Sequence, residues 1–117
     1  MSDERLNVRA QVLLWTAQRA SAAVLAICVI VHLITIIYAV RNGLSAAEIL
    51  GRTRGSAAWA AFYSLFVAAV AVHAPIGLRN FLSETFNRRG SALNIAVMVI
   101  ALTLAMWGFR AVYAVFV

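Results

Sequence analysis

Residues Ala22 to Val40 read AAVLAICVIVHLITIIYAV, nineteen positions with no acidic residue and no base other than His32. About 20 apolar residues of α-helix cross a hydrocarbon core about 30 Å thick, so this stretch is a membrane-spanning helix and sets the frame for everything around it. Toward the N-terminus the apolar run starts at about Val12, and from there to Val40 only Thr16, Gln18, Arg19, Ser21, His32 and Thr35 interrupt it. Trp15 and Arg19 are residue types that settle at headgroup level, which puts the start of the span proper near Ala17. Tyr38 and Arg41 mark the far interface, and Arg41-Asn42-Gly43 closes a first span over about 12–40.

Two further spans follow. One begins at Ala57, loses its continuous apolar character at Leu78 before Arg79-Asn80, and runs on to about residue 82 as an amphipathic extension toward the polar turn Asn87-Arg88-Arg89-Gly90. The other covers about 91–116; its apolar run is Ala92 to Phe109, Arg110 snorkels or meets a partner, and Ala111 to Val117 complete it. Between the first two spans, Ser45 followed by Glu48 has the spacing of a capping box and predicts a short interfacial helical turn. The expected fold is all-α: an integral membrane protein of three transmembrane helices forming one domain over 1–117, itself part of a larger helical bundle.

Composition agrees. The chain of 117 residues is 64% hydrophobic and 12% charged, with a mean hydropathy of +0.90, outside the range of soluble domains. Three spans leave no room for a soluble catalytic domain. The lone Cys28 sits inside an apolar run and excludes both an intrachain disulfide and a thiolate metal cluster. All ten basic residues are arginine and the net charge is +6, but the arginines flank spans, the pattern of interface anchoring and not of a nucleic-acid surface. The apolar run after Arg9 is too long for a signal-peptide core, so no cleaved leader is expected. Arg5, Arg9, Arg19, Arg79, Arg88 and Arg89 fall on one side and Arg41, Arg52, Arg54 and Arg110 on the other. The bias predicts a cytoplasmic N-terminus.

Ionisable residues within a span are costly, which singles out His32, His73, Arg19 and Arg79. His73 lies in VHAPIGLRN, residues 72–80. Gly77 is one turn away on the same helical face and gives the clearance that a flat macrocycle ligated by His73 needs. Arg79, about 9 Å from His73 along the axis, is within reach of a haem propionate or a quinone oxygen. Pro75 cannot donate its backbone hydrogen bond to Ala71 and loosens the helix beside the histidine. His32 sits deep in the first span among Cys28, Val29, Thr35 and Ile36, a pocket that suits a second haem edge. In antiparallel helices sharing the Arg19 and Arg79 interface, His73 lies about 9 Å and His32 about 20 Å inward. Two axial nitrogens on one iron are only about 4 Å apart, so the two histidines do not share a haem. The third span holds no histidine, and Met98 and Met106 are packing residues. The opposing ligands are expected from another subunit.

Gln18-Arg19-Ala20-Ser21 sets an amide, a guanidinium and a hydroxyl at that same interface, with Trp15 one turn earlier than Arg19. Donors for ring carbonyls beside an indole suit a quinone.

These residues, in this order, resemble the cytochrome b anchor family of succinate:quinone oxidoreductases, the membrane subunits of succinate dehydrogenase and fumarate reductase. His73, Gly77 and Arg79 match its histidine, glycine and arginine on the second span. Gln18-Arg19-Ala20-Ser21 is similar to its polar stretch near the quinone, and Glu84-Thr85-Phe86 to its acidic segment. Gln18 and Asn80 stand where many one-haem members carry histidine, whereas His32 resembles the two-haem branch. The resemblance implies haem b, with two favoured over one, and a quinone as substrate. It also implies a second membrane anchor subunit supplying the opposing haem ligands, flavoprotein and iron-sulfur subunits docked on the cytoplasmic face, and residence in a bacterial-type inner membrane. Two other classes compete: a small oligomeric transporter relaying protons through His32 and His73, and a haem-free structural anchor. Asp3, Glu4, Glu48 and Glu84 all lie outside the apolar runs, which counts against a proton-coupled carrier.

Overall fold

A computed structural model describes the backbone of residues 2–88 and 90–117 and the side chains of 7–88 and 90–117. The Asp3, Glu4 and Arg5 side chains and the whole of Arg89 therefore lie outside the described residues. Four helices follow one another: α1 (Ser2–Arg41), α2 (Ala46–Thr53), α3 (Ala57–Thr85) and α4 (Ser91–Phe116), with no strand among the described residues. Three of them, α1, α3 and α4, are long and apolar enough to cross a membrane. The chain is all-α.

At 40 residues α1 is about 60 Å long at 1.5 Å per residue, matching the 58 Å long dimension of the molecule. That is about twice the hydrocarbon thickness, so the helix continues well past the membrane interface at its polar N-terminal end. It ends where Gly43 takes φ +62, the left-handed conformation that costs glycine nothing. Leu44 N–H then returns to the Ala39 carbonyl at 3.0 Å.

The capping box at α2 is present in full: Glu48 N–H donates to Ser45 Oγ at 3.2 Å, and Ser45 N–H donates to the Glu48 carboxylate at 2.7 Å. What α2 and its loop accomplish was not evident from sequence. The last carbonyls of a helix have no intrahelical donor, and at the end of α4 two of them are met from this loop. Thr53 Oγ1 donates to Val115 O at 2.9 Å, and Gly55 N–H donates to Phe116 O at 2.8 Å. In a low-dielectric environment such orphans are expensive, so the short helix caps the C-terminus of a span.

Pro75, buried, does not break α3. The helix lies between α1 and α4 and packs on both. Its register against α1 is antiparallel: Gln18 meets Gly77, Ser21 meets His73 and His32 meets Tyr63, the α3 number falling as the α1 number rises. On the other side, Arg79 reaches Asn94, and the Gly108 backbone lies against Val67. Arg9, Arg19, Arg79 and Arg88 thus gather at one end of the bundle and Arg41, Arg52, Arg54 and Arg110 at the other. Among the described residues only Cys28, Ala69, Pro75 and Val112 are buried apolar side chains. A soluble domain could not fold on so small a core. Between membrane helices the association rests on close packing and hydrogen bonds, with lipid-facing apolar surface left open.

Candidate functional site

Two histidine sites lie on the α1–α3 seam. At the end that carries Arg19 and Arg79, the half-buried His73 presents Nδ1 to Ser21 Oγ at 3.4 Å. Ser21 is 7% exposed and its hydroxyl donates to the Gln18 carbonyl three residues back, at 3.0 Å. Among the described residues no hydrogen bond reaches the other ring nitrogen, Nε2. One turn beyond His73, Gly77 lets the Gln18 amide approach: a Cβ there would stand 3.2 Å from Gln18 Nε2. The room left by the missing Gly77 side chain is thus taken up by the Gln18 amide of α1. Gln18 Oε1 is buried beside it with no hydrogen-bond partner among the described residues, an acceptor waiting for a donor.

The polar stretch of α1 divides by helical phase. Gln18 and Ser21 turn inward to α3, whereas Arg19 lies exposed over the Trp15 ring at 4.9 Å, a cation–π pair. Arg79 donates through Nε to Asn94 Oδ1 at 3.0 Å, tying α3 to α4. Arg110 stacks over Trp107 at 5.4 Å in the same manner as Arg19 on Trp15.

The second site is deeper along α1. His32 Nδ1 lies 3.4 Å from the Tyr63 hydroxyl, and the ring stands edge-on to Tyr63 and Phe66 at 5.7 Å each. Thr35 Oγ1 donates to the His32 carbonyl at 2.7 Å. The imidazole borders two cavities, one of about 370 Å³ reaching Tyr38 and Arg52 and one of about 320 Å³ reaching Gly108 and Val112 on α4. Ile49, Thr53 and Tyr63 line both. Arg52 sits over Tyr38 at 5.5 Å, at the mouth.

His32 is eleven residues along α1 from Ser21, the contact of His73, which places the two imidazoles about 16 Å apart along the axis. No single iron takes both. Among the described residues no group of three His, Cys, Asp or Glu converges on a point.

Sequence reasoning singled out both histidines, Gly77 and the two arginines but missed Tyr63, Asn94 and Thr53. Their partners are 31, 15 and 62 residues away in the chain. Only the helix register brings them together; a tyrosine opposite a membrane histidine was the one available signal.

In comparison with known proteins, the family model described as succinate dehydrogenase/fumarate reductase transmembrane subunit matches residues 2–109. No curated protein and no solved structure matches the chain.

Proposed function

Because the chain belongs to the succinate dehydrogenase/fumarate reductase transmembrane subunit family, and so is a multi-pass membrane anchor associated with flavoprotein and iron-sulfur subunits, we propose that it holds haem b and helps form a quinone site. The observation that carries this reading is the state of His73. Its Nδ1 is engaged by a buried hydroxyl, while its Nε2 makes no hydrogen bond to a described residue. A ligating imidazole needs this arrangement, with one nitrogen oriented by a hydrogen-bond partner and the other free to bind.

His73 would hold one haem and His32 a second, deeper one, each with an opposing ligand from a second membrane anchor subunit, since α4 has no histidine to offer. Haem bound there supplies a one-electron carrier within the membrane. Ser21 and Tyr63 orient the two imidazoles. Arg52, over Tyr38, brings a cation to the edge of the His32 site, where a propionate needs one, and Arg79 would serve the His73 haem only by exchanging its Asn94 partner on α4 for a propionate. Gly77 admits the Gln18 amide to the α1–α3 seam one turn from His73. For the quinone, Arg19 and the Gln18 amide are the donors to ring carbonyls, and Trp15 offers an indole face. Arginine placement supports a cytoplasmic N-terminus in a bacterial-type inner membrane, with the soluble subunits docking at the Arg19–Arg79 end.

The test is haem content in the assembled complex. His73→Ala should abolish one bis-histidine haem signal while the subunits still assemble. Full haem content with unaltered spectra in that variant defeats the assignment. His32→Ala should leave the His73 haem and remove the other, and a native stoichiometry of one haem per complex would eliminate the His32 half alone.

A further inference from the structure

We propose that Ser21 is a positioning residue that holds His73 in the single neutral tautomer able to bind a metal through Nε2. A serine hydroxyl has one proton and two lone pairs. The Ser21 proton is directed to the Gln18 carbonyl at 3.0 Å, the back-bonding that serine adopts inside helices. What Oγ then presents to His73 Nδ1, 3.4 Å away, is a lone pair. An acceptor facing Nδ1 requires the proton on Nδ1, which leaves the lone pair of the neutral ring on Nε2. The alternative tautomer sets two lone pairs against each other where Ser21 is 7% exposed and water cannot relieve them. A buried acceptor left without its donor disfavours that tautomer by about tenfold or more.

His32 has no such restraint. Its Nδ1 faces the Tyr63 hydroxyl at 3.4 Å, and that hydroxyl makes no second hydrogen bond among the described residues, so the phenol proton is free to point at Nδ1. One chain thus carries two membrane histidines under different control. The relay from Nδ1–H to Ser21 Oγ–H to the Gln18 carbonyl also runs along α1, so any movement of α1 against α3 releases His73.

The inference uses the reading of His73 as a ligand only for the purpose of the tautomer; the tautomer itself is tested without haem. The full-length chain, labelled with ¹⁵N-histidine and held haem-free in detergent micelles, contains two histidines, and His32→Gln assigns their signals. The His73 ring should show the Nδ1–H pattern in the wild type, and Ser21→Ala should shift it toward Nε2–H or a mixture. Ser21→Thr, which keeps the hydroxyl, should restore it. An Nε2–H pattern in the wild type overturns the proposal without recourse to any variant, as does a ring unaffected by Ser21→Ala. In the assembled complex, Ser21→Ala should raise the reduction potential of the His73-dependent haem, because an imidazole whose Nδ1–H has lost its acceptor is a weaker electron donor, and Ser21→Thr should return it. If His73→Ala retains all haem while the ring pattern holds, the ligand reading fails and the Ser21 inference stands.

Discussion

Gly108 is where the α3–α4 contact has no slack. A Cβ built on it would lie 2.5 Å and 3.0 Å from the two methyl carbons of Val67 and 3.3 Å from its Cβ. Carbon atoms come to rest about 3.5–4.0 Å apart, so Gly108→Ala demands a displacement of about 1 Å. Valine in a helix keeps one χ1 rotamer about nine times in ten, so Val67 cannot turn away, and the helices themselves must separate. Overpacking of this kind costs about 1–3 kcal/mol, against which alanine recovers up to about 1 kcal/mol of helix propensity over glycine. The expected net loss is up to about 2 kcal/mol, read by reversible unfolding of the purified chain from mixed micelles as sodium dodecyl sulfate is titrated in. Val67→Ala removes both offending methyls, so the double variant should recover most of the loss, a coupling of about 1 kcal/mol or more. Gly77→Ala is the control: there the added carbon meets only the mobile end of Gln18 at 3.2 Å, and the change should stay within about 0.5 kcal/mol. A double variant no more stable than Gly108→Ala alone would refute the close packing of α4 on α3.

Three other outcomes are expected. Thr53→Val strands the Val115 carbonyl that the threonine hydroxyl now meets at 2.9 Å; it should lower stability by about 1–3 kcal/mol and expose the last amides of α4 to hydrogen exchange. Arg19→Leu in the assembled complex should cut quinone reduction about tenfold, the loss of one charged hydrogen bond, while dye reduction by the soluble subunits continues; equal kinetics with quinone exclude Arg19 from that site. The Glu48 carboxyl is held below the ordinary carboxylate range first by the Ser45 backbone N–H, then by the Ser45 hydroxyl and Arg52. Its contribution to the α2 cap is complete above the ordinary glutamate pKa of about 4.3 and is lost as pH falls through the lower folded value. Carbon-13 titration of Glu48, followed together with the Ser45 amide shift, should show both moving at one midpoint below that of a free glutamate.

Ala22 to Val40 alone dictated a spanning helix, because an uninterrupted apolar run of that length satisfies its backbone only as a helix and its side chains only in lipid. The arginines at the span ends, the Ser45–Glu48 box and the glycine-ended first helix were legible for the same reason: each is a local rule acting within a few residues. His32 and His73 stood out as chemistry because a span tolerates few ionisable groups, and the rise of about 1.5 Å per residue sufficed to keep them at different depths. The partners of those residues obeyed no local rule. Whether Ser21 or Gln18 would face His73, whether Arg79 would reach Asn94, and whether Thr53 would close the end of α4 all depend on the rotation and register of α3 between its neighbours. Apolar faces that suit lipid and helix equally well leave that rotation unspecified in one dimension. It is decided by the few places where backbones approach or hydroxyls meet, at Gly77, at Gly108 and along the Ser21–His73 contact, and these exist only once the helices are packed.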